Sequence, residues 1–322
     1  MFRIIKAILI AALLVVSTAS SAQSYPSKPI HIIVPYPAGG TSDILARTIG
    51  QRLSESFGQP VIVENKPGAN GNVGADLVAK APADGYTLLL ADIGALVISP
   101  SVYPTLPFDP VKDFAPVTMV AYSPHILVVH PSVQAASVKE LVGLAKSKPG
   151  KLNFAISGVG GAPHLAGVDF AMRTGIDWTY IPYKGGAQAI ADVAGGQADV
   201  TLNGMLATYP LVQGGKLKLL AVSSAKRMSA IPDVPTIAES GVPDFESGSW
   251  QGVVVPAGTP REVVTRLNSE ILRIVNAPEM RDRLGKQGAD VRTNTPEEFG
   301  TFIRSETAKW AKVVKDANIK VD

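Results

Sequence analysis

Three groups of residues in this 322-residue chain have types and spacing that bear on chemistry. The first is Pro37-Ala38-Gly39-Gly40-Thr41-Ser42-Asp43. Gly39 and Gly40 remove Cβ where the backbone has to turn sharply, and Thr41, Ser42 or Asp43 can cap a helix that follows. Unpaired amides at such a helix start, at the positive end of its dipole, suit a small anion, although the same residues serve equally as a plain turn. The loop lacks the Lys-Ser/Thr ending of a phosphate-cradling loop and the three-glycine spacing of a dinucleotide site, which sets nucleotides aside. The second group is Ser157 and His164, seven residues apart, a nucleophile and base for an exported hydrolase. Ala155-Ile156-Ser157-Gly158-Val159 lacks the flanking glycines of a nucleophile elbow, and no spacing fixes an acid against His164, which fits the first turn of a helix. The third group is the remaining titratable set. His31, His125, His130 and His164 form no ligand cluster, so neither metal nor cofactor is expected. Asp43 stays open between a helix cap and a carboxylate that selects a ligand amine.

The elements that must hold these residues alternate. Ile30–Val34 is a short β-branched run bounded by prolines, and Ile44, Leu45, Ile49 and Leu53 recur at helical spacing, giving strand, tight loop, helix. Val61-Ile62-Val63 is a strand, Asn65 to Gly74 a glycine-rich loop, and Tyr86 to Ala91 a strand ending in Asp92-Ile93-Gly94. Alternation of this kind predicts a parallel sheet covered on both faces, with ligands beyond the carboxyl ends of the strands. Pro37 to Asp43 and Asp92 to Gly94 should therefore converge on one cleft. Val117–Val120 and Ile126–Val129 are strand-like and bracket Tyr122-Ser123-Pro124, where a crossover into a second lobe is expected. That lobe repeats the alternation, with a loop from Ser157 to Pro163, Lys184-Gly185-Gly186 before a helix, and Asn203-Gly204 closing a strand. The chain then returns through a strand at Gln251–Val255. Capping boxes at Thr259-Pro260-Arg261-Glu262 and Thr295-Pro296-Glu297-Glu298 open helices expected to pack back on the first lobe. Trp178 and Trp310 are expected in the core, and Trp250 in the core or the cleft wall.

Arg3 and Lys6 precede an apolar run from Ala7 to Val16 and small residues through Ala22, the pattern of a cleaved secretory leader, too short to span a membrane. Without Arg3 and Lys6, 28 basic residues face 27 acidic ones, a net charge of +1 that offers nothing to nucleic acid or an anionic membrane. Cys 0 excludes disulfides, thiol catalysis and cysteine lipidation, and 46% hydrophobic residues suffice for a full core.

The order and spacing of Tyr25-Pro26-Ser27-Lys28-Pro29-Ile30, Val34 to Asp43, Glu64 to Ala69, Ala79 to Leu88, Asp113 to Val117 and Pro182-Tyr183-Lys184-Gly185-Gly186 are those of a known family. Over nearly all of the mature chain the sequence resembles the tripartite tricarboxylate transporter receptors, the extracytoplasmic solute receptors also called Bug proteins. The resemblance implies a two-lobe α/β fold of the type II periplasmic-binding-protein kind, two doubly wound sheets joined by crossing strands. The leader would be residues 1–22, the first lobe 23–122 with 246–322, and the second lobe 123–245. It further implies a periplasmic, monomeric, non-catalytic receptor that binds a small carboxylate for integral-membrane transporter subunits or a sensor. By the same resemblance the ligand is held by Ala38, Gly39, Gly40, Thr41, Ser42 and Asp43 and, from the other side, by Ser157 and Gly158, partly through water. Lys184 and Asn203 are expected neighbours, and Asp92 and His164 complete the expected site.

Overall fold

A computed structural model of the chain describes residues 25–316. The expected leader, residues 1–22, lies outside them. Strand β1 (Ile30–Val34) leads through a loop into α1 (Thr41–Phe57), β2 (Val61–Asn65), α2 (Asn72–Ala79) and β3 (Thr87–Asp92). A π-helical turn at Gly94–Ile98 runs into the short α3 (Ser99–Val102) and then to β4 (Phe114–Val129). Next come α4 (Val138–Ser147), β5 (Asn153–Ile156), α5 (Ala162–Thr174), β6 (Thr179–Pro182), α6 (Gly186–Ala194), β7 (Val200–Gly204), α7 (Met205–Gln213) and β8 (Lys218–Val222). The chain returns on β9 (Gly248–Pro256), followed by α8 (Arg261–Val275), α9 (Pro278–Lys286), β10 (Asp290–Val291) and α10 (Pro296–Asp316).

The strands run in the order β2-β1-β3-β9-β4-β7-β5-β6, with β8 and β10 paired to β4. Pairing is parallel for β1 with β2 and β3, and for β5 with β6 and β7. The all-parallel expectation fails in the middle. β9 returns from the second lobe, so it enters between β3 and β4 antiparallel to both. β4 is likewise one continuous strand of 16 residues rather than two. Its first half pairs with β9 and β10, and its second half pairs with β7 from His125 and with β8 from Ile126. Pro124 lies between the last residue bonded to β10 and the first bonded to β7, where a missing N–H is tolerated. The two-lobe, type II binding-protein architecture thus rests on β4, which belongs to both sheets, with β9 returning alongside its first half.

Both sheets are covered on both faces. Ile30, Ile32 and Val34 pack with Leu45, Leu53, Leu267 and Ile271, whereas Ile33 faces the cluster of Val78, Leu96 and Phe299. Leu127 and Val129 join Phe154 and Phe170, and Ile126 and Val128 join Ile190 and Val193. This period-two alternation of apolar residues to opposite faces is that of strands buried on both sides. Trp178 lies between Phe154 and Phe170, its ring centroid 4.4 and 5.5 Å from theirs. Trp250 is buried against Phe299 and Phe302.

Thr295 makes its expected box: Glu298 N donates to its hydroxyl at 3.2 Å and Thr295 N to Glu298 Oε2 at 2.8 Å. Thr259 does not. Its hydroxyl donates to Pro256 O at 2.8 Å, and α8 starts after Pro260 with no side-chain cap.

Candidate functional site

Helices α1, α5, α6 and α7 start from Gly40, Gly161, Gly185 and Gly204, and none of these starts carries a side-chain cap. The first amides of a helix have no partner within it, and here no N-cap side chain accepts from them. All four starts meet at one cavity between the sheets, with about 60 Å³ open to water centres. Gly40, Thr41 and Ser42 enter from α1, Gly161 and Ala162 from α5, Gly186 from α6 and Gly204 from the start of α7. The positive ends of four helix dipoles therefore face the same small space, and among the described residues no lysine or arginine lines it.

β4, β7 and β9 form a polar wall of His125, Asn203, Ser249 and Gln251. Asn203 Oδ1 accepts from Gly204 N at 2.9 Å, and Gln251 Nε2 donates to Ser249 Oγ at 3.2 Å. Their other ends, Asn203 Nδ2 and Gln251 Oε1, are buried without a hydrogen-bond partner among the described residues. Buried polar atoms are nearly always paired, so two orphans on one wall point to a polar ligand or ordered water. Burial pushes the His125 imidazole down to about 3, which keeps it neutral, with Nδ1 3.1 Å from Ser247 Oγ.

Tyr36, Asn70, Asp92 and Gly94 continue the lining, with Asp92 directly across the β3–β9 pair from Gln251. Tyr36 OH donates to Asp92 Oδ1 at 2.5 Å, and Gly94 N to the same oxygen at 2.7 Å. Burial pushes the Asp92 carboxyl up to about 6 against the pull of these donors. Burial, and then the Asp92 charge, raises the Tyr36 hydroxyl well above its ordinary value. Asn70 is carried there by consecutive residues of positive φ: Gly68 at 144°, Ala69 at 45°, Asn70 at 55° and Gly71 at 92°. Ala69 in this conformation costs about 1–2 kcal/mol, strain of the sort that persists where a site requires it.

The lobes meet across the cleft at glycines. A Cβ on Gly185 would lie 2.4 Å from Pro37 Cδ, one on Gly204 2.6 Å from Thr41 Oγ1, and one on Gly160 2.6 Å from Val102 Cγ1. The structure is accordingly in a closed arrangement that the missing side chains permit.

Of the residues expected at the site, the fold brings Gly40, Thr41, Ser42, Asp92, Ser157 and Asn203 to the cavity wall. Asp43 is buried beneath the loop, where its carboxylate accepts from Gly39 N, Asn65 Nδ2 and Arg47. Ala38 and Gly39 are exposed outside the lining, and Gly158 abuts the Asn70 carboxamide. Lys184 is exposed, with its backbone amide donating to Gln188. His164 turns away: Nδ1 accepts from Gly160 N at 3.0 Å and the ring stands edge-on to Tyr180. With Nδ1 accepting, the neutral ring carries its proton on Nε2, which leaves no ring nitrogen free to act as a base toward Ser157. Sequence reasoning missed Tyr36, Asn70, His125, Ser249 and Gln251. Asn70 carried a signal, because an asparagine among glycines is the commonest non-glycine residue at positive φ. Among the described residues no group of three or more His, Cys, Asp or Glu is placed to hold a metal, and no helix is long and apolar enough to cross a membrane.

Residues 45–319 match the family described as tripartite tricarboxylate transporter family receptor. The fold superposes on the R. palustris protein Rpa4515 with adipate at TM-score 0.91 and 37% identity, covering 92% of this chain and 100% of that one. It matches the periplasmic binding protein BugD at TM-score 0.88 and 34% identity, with 92% and 100% covered. It matches MatC from Rhodopseudomonas palustris with bound malate at TM-score 0.85 and 30% identity, with 90% and 100% covered.

Proposed function

Because the chain belongs to the tripartite tricarboxylate transporter family of receptors, solute receptors and not enzymes, we propose that its two lobes close over a small carboxylate held by neutral donors alone. The observation that carries this reading is the meeting of four uncapped helix starts at one cavity that, among the described residues, no lysine or arginine lines. Free amides of α1 and the hydroxyls of Thr41 and Ser42 take the carboxylate from the first lobe, and Ser157, Asn203 and the starts of α5, α6 and α7 take it from the second. Ordered water fills the remaining distance, at little cost relative to direct bonds. Asp43, Gly39 and Arg47 set the shape of the α1 loop, Gly158 seats Asn70, and His164 fixes the Gly160 turn. The lobes are residues 23–122 with 246–322, and residues 123–245.

The mature protein works in the periplasm as a monomer after loss of residues 1–22 and presents its ligand to integral-membrane transporter subunits or a sensor. The periplasmic placement of BugD and the carboxylates bound to Rpa4515 and MatC support this. A thermal-shift screen of mono-, di- and tricarboxylates and aromatic acids tests the reading. At least one carboxylate is expected to raise the melting temperature saturably, with a one-to-one calorimetric isotherm. No stabilisation by any acid in the screen would overturn it.

A further inference from the structure

The cavity that gathers four helix starts also holds a carboxylate of its own. Asp92 ends β3 on the cavity wall, and Tyr36 OH and Gly94 N both donate to its Oδ1. The titratable groups around it are Tyr36 from the loop after β1, Tyr103 after α3 and His125 across the cavity on β4. All three are neutral at neutral pH, since burial raises both tyrosines and lowers the histidine. The cations nearest Asp92 in sequence are paired elsewhere, Lys80 with Asp76 and Lys112 with Asp109, and Lys184, just before Gly185 and Gly186, is exposed outside the lining. A carboxylate ligand thus enters a small cavity, with about 60 Å³ open to water centres, whose wall already carries one carboxylate and, among the described residues, no lysine or arginine. Two carboxylates that share one cavity disfavour each other's ionised form, which raises the pKa of one of them and favours uptake of a proton. Asp92 is the readier of the two, because burial already holds it at about 6 without a ligand.

We propose that the receptor binds its carboxylate together with one proton, drawn from solvent and held between the ligand and Asp92, and releases both together. The inference rests on the carboxylate reading above and deepens it, since the captured species is then the ligand plus a proton. The direction of the pH dependence follows. Ligand raises the Asp92 pKa further, so above about pH 6 each binding event takes up a proton, and affinity weakens as pH rises. The limit for one proton is about tenfold per pH unit. Below about pH 6 Asp92 is already protonated and affinity levels off.

Calorimetry of the wild-type protein with adipate and malate at pH 7.5, in buffers of different ionisation enthalpy, counts the protons directly. Both probes are fully ionised there, so any proton counted is one that the complex takes from solvent. The expected result is close to one proton taken up per ligand and a Kd about tenfold weaker at pH 8 than at pH 7. In Asp92→Asn, checked for folding by circular dichroism, proton uptake should vanish, and at pH 8 this variant should bind at least as tightly as wild type. Carboxylate binding without proton uptake overturns the inference and leaves the carboxylate reading standing, whether or not the variant folds. Binding only of ammonium-bearing acids, lost in Asp92→Asn, overturns it too, because Asp92 then pairs with the ligand as an anion. No binding by either probe or any other carboxylate overturns both.

Discussion

From its type and position alone, Asp43 can cap α1 or select a ligand amine, and its partners decide between them. Burial would raise its pKa, but the Arg47, Gly39 and Asn65 donors outweigh burial and hold the carboxyl below its ordinary value. A folded-state pKa below the unfolded one gives stability that is present above the unfolded value, about 3.9, and is lost as pH falls through the folded value. Asp43→Ala is therefore expected to lower the urea unfolding free energy by about 1–3 kcal/mol at pH 7, with the gap to wild type narrowing below about pH 4. A gap unchanged at pH 3 would show that charge plays no part. The adjacent glycines also separate. Sequence treats Gly39 and Gly40 as one flexible pair, but only Gly39 has positive φ, at +84°, whereas Gly40 is extended at −81° and an added Cβ there meets nothing nearer than Pro37 O at 3.7 Å. Gly39→Ala should thus cost about 1 kcal/mol and Gly40→Ala no more than about 0.5, measured by thermal melts. Of the two glycines at which the sequence places the sharp turn, only Gly39 takes a conformation that strains a side chain.

Helix starts in this chain divide by use. Ser137 and Thr295 cap α4 and α10, away from the cavity, in boxes legible from sequence. The helices that face the cavity begin at bare glycines, which in sequence look like any turn. Thr295→Ala should lower stability by about 1 kcal/mol in urea and leave carboxylate affinity unchanged; a loss of affinity would tie α10 to the site. The alternation of strands and helices was legible because apolar β-branched runs are bounded by glycine and proline. Strand direction in the sheet centre was not, since it depends on where β9 comes from. Helix α7 was hidden by Pro210 inside it, and β4 was divided in the reading by Pro124, a proline that partner switching between β10 and β7 accommodates.

At the scale of the molecule, the missing side chains of Gly160, Gly185 and Gly204 let the second lobe come down on Val102, Pro37 and Thr41. Which glycines face the other lobe is a non-local fact that spacing does not carry, as are the cavity roles of Ser249 and Gln251, which arrive from the far end of the chain. Gly185 has φ of 174°, open to any residue, so an added Cβ there disturbs only the closed arrangement. Gly185→Ala should keep the wild-type melting temperature without ligand, lose at least tenfold in carboxylate affinity, and lose the ligand-induced fall in radius of gyration seen by X-ray scattering. An unchanged affinity, or a wild-type scattering response, would mean that closure does not pass through the Pro37 contact.

The central claim is that bare helix starts hold the carboxylate, and Gly40→Asp tests it most directly. The extended backbone of Gly40 is the conformation an N-cap aspartate adopts, and that side chain would accept from the same α1 amides. With the tightest carboxylate of the screen as probe, the variant should melt at or above the wild-type temperature and bind at least about a hundredfold more weakly, a difference of roughly 2.7 kcal/mol. A folded Gly40→Asp protein that binds the same carboxylate with wild-type affinity would contradict the account.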